Sequence, residues 1–432
     1  MFTSKSKKYQ KHSNHILKTS SGVELVKTAA IYGANASGKS NLIDAILNFK
    51  NIALNHKENS SLIPLSKRFK IDKSYKNLPT SFRIETTFNG NHFDYGIEIN
   101  KGKVSEEWLF LIKDVKKEQE ELLFERKDNE ISFGIFFKEN QISYLKQFLT
   151  KELKRNESVL GLSEGRVEEN NIIDDFITSL NNLIIISPES YNTSYFSSML
   201  TGELASDFAS EILREAETGI ENIVIEKLNA DNFFSYEETD RKEHLIERLE
   251  ESAESANVKE EDVLLTFGYR GAYHSFSKEN KDFYVSILKT KHFQSSELFD
   301  LEEESDGTNR LLELTPAIDD LLNNKDFVYI IDELERSLHP ILAKRIVKLF
   351  SESQTKNSQL IFTTHETHLL DLDIFRQDEI WFSEKKTDGS SEFYPLSKFK
   401  PREDKDIRKG YLQGRYGGIP YLGDFSKIEE NV

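Results

Sequence analysis

The 432-residue chain contains no cysteine. Disulfides, zinc–thiolate sites, iron–sulfur clusters and thiol nucleophiles are therefore excluded together, which fits a cytoplasmic setting. Long apolar runs are also missing. Leu183–Ile186 and Phe327–Ile331 are among the longest, far short of the roughly 20 residues that span a bilayer. The basic N-terminus, MFTSKSKKYQKHSNHIL, has no apolar stretch of the kind a secretory leader needs. Positive charge is in deficit: 57 Lys and Arg against 74 Asp and Glu leave a formal charge of −17. That field opposes nucleic acid except at local basic clusters. Lys5–Lys11 and Lys398–Lys409 are such clusters, and the plain reading of each is a solvated tail or loop. Sustained heptads, internal repeats and low-complexity linkers are absent, so neither a long coiled-coil arm nor a solenoid is expected. The expectation is a soluble, cytoplasmic protein with no membrane partner.

A core can be built. Hydrophobic residues make up 37% of the chain, with 30 Phe and 16 Tyr, which excludes global disorder. Ala29–Tyr32 reads as a buried strand running through a Gly-rich turn into a helix from about Lys39 to Leu54. From Pro79 to about Lys113 the period changes to two, with turns at Asn89–Asn91 and Asn100–Lys103. This predicts an antiparallel meander, extended by Leu122–Arg126 and Ile131–Phe137. Residues 140–182 read as mixed with helix predominant, 203–217 as helical, and Glu221–Leu228 as a strand. Arg241–Ser255 is a charged helix with the apolar pair Leu245 and Leu249, inside the acidic stretch Glu243–Asp262; a solvated face is the plain reading, a partner-docking face the sharper one. Strand-like runs at Phe327–Ile331, Gln359–Thr363 and Glu379–Ser383 alternate with helical patterns at Arg310–Leu322 and Pro340–Ser353. That alternation predicts a parallel α/β layer.

Four segments carry chemistry. Gly33-Ala34-Asn35-Ala36-Ser37-Gly38-Lys39-Ser40 fits GxxxxGK[ST] at every fixed position. Its backbone N–H groups wrap a phosphate, Lys39 reaches the β/γ-phosphates, and the Ser40 hydroxyl ligates Mg²⁺. In Phe327-Val328-Tyr329-Ile330-Ile331-Asp332-Glu333 an apolar strand ends in two carboxylates. Asp332 suits Mg²⁺, and Glu333 suits polarising an attacking water. Phe362-Thr363-Thr364-His365 is a second apolar strand, ending in a His able to donate to a γ-phosphate. Ser305-Asp306-Gly307-Thr308 stands just before a helix starting near Arg310, a ready anion site or an ordinary N-cap.

The order of these segments resembles ABC-type ATPases such as the RecF and SMC proteins. The strings AAIYGANASGKSNLIDAI, ESDGTNRLLEL, IDELERSLHPIL, IFTTHETHLLD and YLQGRYGGIP resemble more closely the stand-alone ABC ATPases of bacterial anti-phage systems, of the RloA and PARIS AriA kind. The resemblance implies an ABC-ATPase head of α/β class: an antiparallel β lobe, a parallel-sheet P-loop core and a mostly helical insertion. Its implied parts are 1–185 (N-terminal lobe), 186–300 (helical or mixed insertion) and 301–432 (C-terminal lobe). It implies ATP and Mg²⁺ as cofactors, with ATP held by Gly33, Asn35, Ala36, Ser37, Gly38, Lys39, Ser40 and Asn41. Glu333, His365 and Lys39 would act in catalysis, and Ser40 and Asp332 on the metal. Ser305, Asp306, Gly307 and Thr308 would complete the site of a second copy in a head-to-tail dimer, with Ser337–Pro340 as the loop crossing between copies. A higher assembly, a phage-encoded trigger and a separate effector such as a nuclease are implied as well.

The pattern departs from the family in two places. Relatives begin with a strand carrying an Asn-Phe-Arg-Ser-like segment; this chain begins about where that strand ends, so a start short of the family's is expected. Gln119, Gln141 and Gln147 are available as the family's Q-loop residue, none in a distinctive context. A fused nuclease is not expected. Asp371-Leu372-Asp373 has a suitable spacing but reads as a solvated turn. The competing reading is a RecF-like DNA-repair ATPase, against which the net charge counts. A transporter subunit fits worse, because Ser-Asp-Gly-Thr departs from the transporter signature.

Overall fold

The computed structural model describes residues 12–54, 69–115, 117, 119–134, 143–166, 171–188, 199–200, 203–269, 272–323, 325–353, 357–402 and 405–420. Lys5–Lys11 and Gln141 lie outside the described residues. The chain divides into two compact units, each discontinuous: residues 1–187, 324–334 and 347–432, and residues 188–323 and 335–346.

The first unit is built on a hairpin and two larger sheets. A short hairpin, β1 (Ile16–Lys18) with β2 (Glu24–Val26), precedes β3 (Thr28–Gly33), every residue of which is buried. The meander expected from the period-two pattern forms a five-stranded antiparallel sheet of β4 (Thr80–Phe88), β5 (Asn91–Asn100), β6 (Lys103–Asp114), β7 (Gln119–Lys127) and β8 (Glu130–Phe133) in that order. Its inner face packs against α1 (Lys39–Ala53), α2 (Ser143–Glu152), α3 (Val159–Ser163) and α4 (Ile172–Asn181) in a core that includes Phe49, Phe93, Tyr95, Phe176 and Leu180. Each residue of that cluster is nearly or wholly removed from water, worth about 1.5–3 kcal/mol apiece for the large side chains.

The third sheet holds the site. Its order is β18–β17–β3–β16–β15–β9, with β9 (Leu183–Ile186), β15 (Val328–Ile331), β16 (Gln359–Thr363) and β17 (Ile380–Lys385) added to β3. These five run parallel, and only β18 (Ser391–Pro395) is antiparallel. The near-continuous apolar runs seen in the sequence follow from this, since a parallel strand is covered on both faces.

The second unit departs from expectation. Among its described residues the 186–300 insertion is as much sheet as helix rather than mostly helical. An antiparallel sheet of order β10–β13–β12–β11, with β14 beside β13, is made by β10 (Ile220–Asn229), β11 (Leu264–Tyr269), β12 (Ala272–Glu279), β13 (Asp282–His292) and β14 (Leu298–Asp300). Its period-two signal is blunted because several inward positions are polar: Ser275, Ser286 and Thr290 are all buried. On this unit lie α5 (Glu203–Glu215), α6 (Thr239–Ala256) and α7 (Asp306–Leu322). Leu245 and Leu249 of α6 are buried against Phe276 and Val285, so only the outer face of the acidic helix is solvated.

Candidate functional site

Three neighbouring strands of the parallel sheet deliver the candidate residues to one edge. β16 lies between β3 and β15, with Ile31 opposite Thr363 and Ile331 opposite Phe362. The P-loop follows β3, Thr364-His365 follows β16, and Asp332-Glu333 follows β15. Loops at the carboxyl ends of parallel strands form the ligand crevice of such sheets. At roughly 4.8 Å between neighbouring strands, the outer two are about 10 Å apart.

The P-loop is a strained, tightly buttressed turn. Ala36 has φ +63° and Gly38 +103°, left-handed conformations that turn successive N–H groups toward one side. Gly38 has a steric reason as well: a Cβ there would stand 2.1 Å from Ser391 Oγ and 2.8 Å from Ser391 Cβ on β18. Ser383 on β17 donates its hydroxyl to the Ser37 carbonyl at 2.9 Å. Lys39 is buried, and its Nζ donates to the carbonyls of Gly33 and Ala34 at 2.7 and 3.3 Å. Its ammonium is thus folded across the mouth of the loop. Asn35, Ala36, Ser40 and Asn41 are exposed, leaving the outer face of the loop open.

Whether these residues suit a nucleoside triphosphate can be tested on the loop's unmet hydrogen-bonding capacity. Helix α1 has Gly38 at its N-cap and no side-chain cap, whereas Ser158, Asn171 and Ser305 cap α3, α4 and α7. The first N–H groups of an uncapped helix, reinforced by its dipole, suit a phosphate. Ser37 Oγ is buried with no hydrogen-bond partner in the same loop. The fit is good. For Mg²⁺ the candidates are Ser40 and Asp332. Among the described residues no cluster of three or more His, Cys, Asp or Glu could hold a metal unaided.

Asp332 and Glu333 are held by a residue that the sequence reading passed over. Asp332 is buried, and its N–H continues the sheet by donating to Ile186 O at 2.8 Å. Glu333 is half-buried with φ +49°, a left-handed conformation costing a non-glycine residue on the order of 1–2 kcal/mol. The turn is gripped by Thr363 on β16. Its hydroxyl accepts the Glu333 N–H at 2.8 Å and donates to Asp332 Oδ1, while its carbonyl accepts the Leu334 N–H at 3.2 Å. The only sequence signal was position: Thr363 ends the strand-like run that leads into His365, two residues before it. His365 itself is exposed just past the end of β16.

The Ser305 segment belongs to the second unit. Helix α7 starts at Asp306, one turn earlier than the Arg310 start expected from sequence. Ser305 is its N-cap: Oγ accepts the Thr308 N–H at 3.1 Å and lies 2.9 Å from Thr308 Oγ1. Ser305 and Asp306 are exposed and Thr308 is buried. Gly307 lies so close to the Ser337 carbonyl that a Cβ would stand 2.9 Å from it, so α7 and the Ser337–Pro340 segment touch within that unit. Gln119 and Gln147 are exposed on β7 and α2. Asp371 accepts the N–H of Asp373 at 2.8 Å, as a self-capping turn does.

A glycine-rich loop of P-loop sequence after a central strand of a parallel sheet, with an Asp-Glu pair ending a strand two places away, defines a P-loop ATPase. The chain belongs to the family described as "AAA domain, putative AbiEii toxin, Type IV TA system", which matches residues 29–371. Among solved structures, an SMC head bound to the C-terminal winged-helix domain of ScpA is 15% identical with a TM-score of 0.43, over 87% of this chain and 94% of that one. The SMC head from Thermotoga maritima is 13% identical with a TM-score of 0.35, over 88% and 97%. An SMC head with an extended coiled coil from Pyrococcus furiosus, bound to the C-terminal domain of ScpA, gives 15% and 0.37, over 89% and 96%. No curated protein matches the chain. Among the described residues no helix is long and apolar enough to cross a membrane.

Proposed function

We propose that this chain is an ABC-type ATPase that works as a head-to-tail dimer and serves an anti-phage system as the sensor and scaffold of a separate toxic effector, such as a nuclease. What supports the ATPase part is that the P-loop, Asp332-Glu333 and His365 follow the carboxyl ends of β3, β15 and β16, three neighbouring strands of one parallel sheet. The loop's N–H groups and Lys39 bind the β/γ-phosphates, and Glu333 orients and polarises the attacking water. His365, exposed beside them, donates to the γ-phosphate. Ser40 and Asp332 would hold Mg²⁺, whose contribution when bound is to neutralise charge on the phosphates. Exposed Ser305 and the side-chain-free Gly307 of a second copy close the site over the γ-phosphate, so that ATP tightens the dimer and hydrolysis loosens it. The family description, with its toxin–antitoxin association, supports the effector part.

Glu333→Gln protein, purified from its native operon with ATP and Mg²⁺, tests this. It is expected to bind ATP, hydrolyse it at least about a hundredfold more slowly than wild type, and co-purify with a stoichiometric second protein identified by mass spectrometry. Hydrolysis at the wild-type rate would sink the assignment of Glu333, and recovery of the ATPase alone would sink the effector reading. The exposed cations Lys398, Lys400, Arg402, Lys405, Lys409 and Arg415 favour a second reading, a RecF-like ATPase that handles DNA. Duplex DNA retained by the Glu333→Gln protein, with affinity falling steeply as salt rises, would move the assignment there.

A further inference from the structure

We infer that Thr363 is the positioning residue of the hydrolytic centre: one hydroxyl sets both the metal-side carboxylate, Asp332, and the backbone that aims Glu333. This rests on the ATPase reading above and adds a residue to it. Thr363 is wholly buried, so no water substitutes for its contacts. The direction of both hydrogen bonds is fixed by chemistry. The Glu333 amide can only donate, so Thr363 Oγ1 accepts there; the Thr363 proton is then given to Asp332 Oδ1. A β-branched side chain on a strand has little χ1 freedom, so the hydroxyl stays aimed. Its own carbonyl takes the next amide, that of Leu334. Two consecutive N–H groups of a left-handed turn are thus bound to one residue of the neighbouring strand, which is what holds Glu333 at φ +49°. The strand that carries His365 therefore also sets the geometry of the Asp-Glu pair.

The test compares Thr363→Val, which keeps the shape and removes the hydroxyl, with Thr363→Ser, which keeps the hydroxyl, alongside Glu333→Gln. For Thr363→Val, kcat is expected to fall about tenfold to a hundredfold, while KM and the Kd of a non-hydrolysable ATP analogue stay within about twofold, because the P-loop sits on other elements. Thr363→Ser should recover kcat to within about threefold of wild type. Adding Thr363→Val to Glu333→Gln should cost less than Thr363→Val costs alone, since the part of its effect that runs through Glu333 is already lost and only the part through Asp332 remains. The nucleotide-free protein gives an independent readout: Thr363→Val melts below wild type and Thr363→Ser does not. If the Val variant fails to melt cooperatively, Thr363→Ala is read in its place. Wild-type kcat in Thr363→Val with Glu333→Gln inactive overturns the positioning role alone. A Thr363→Ser enzyme as slow as Thr363→Val overturns the role of the hydroxyl. Glu333→Gln at the wild-type rate instead overturns the reading beneath.

Discussion

Gly38 shows how closely the nucleotide loop is tied to the far edge of its sheet. Its φ of +103° disfavours any side chain, and Ser391 occupies the space a Cβ needs. Gly38→Ala is expected to weaken ATP binding by at least about tenfold in a titration with fluorescent nucleotide. Ser391→Gly is expected to leave it unchanged and, combined with Gly38→Ala, to restore binding only in part, because the backbone strain remains. Full restoration would show that the clash alone matters. The glycines and the lysine of the loop were legible in the sequence because their roles are local. Thr363 was not, because its role depends on β16 lying next to β15, which no local pattern reports.

At the scale of elements, legibility followed the same division. β3, α1 and the antiparallel meander were readable because period and turn residues agree. The second unit's sheet was obscured by buried Ser and Thr on inward positions. Charged residues that tie elements together were equally hidden. Glu107 on β6 accepts the Val159 and Leu160 N–H groups at 2.7 and 3.2 Å and the Tyr95 hydroxyl at 3.0 Å, so it secures the start of α3. Lys50 on α1 donates to the carbonyls of Leu183 and Asn181 at 2.8 and 3.0 Å, pinning that helix to the start of β9. Burial lowers its pKa from 10.5 to about 8, opposed by Glu164. The unfolded chain then binds a proton that the native state releases between about pH 8 and 10.5. Stability owed to Lys50 therefore rises with pH across that window. Urea unfolding at pH 7 and pH 9.5 should show wild type gaining on Lys50→Met at the higher pH. A difference that stays flat or reverses would contradict the burial argument.

On the scale of the whole molecule, the chain combines an acidic field, −17 overall, with a phosphate-binding loop whose favourable charge is entirely local. The P-loop and the Asp332-Glu333 turn lie in the first unit, while the Ser305 segment lies in the second. In the proposed dimer the second half of each site comes from another copy, and subunit mixing decides whether it does. Lys39→Ala and Ser305→Arg are each expected to be inactive alone. Mixed in equal amounts and allowed to exchange, half of the dimers carry one site with an intact loop and an intact signature. ATPase activity should then return to roughly a quarter of wild type. If the mixture stays as inactive as its parts, although exchange is shown by differently tagged subunits, the site is not shared between copies.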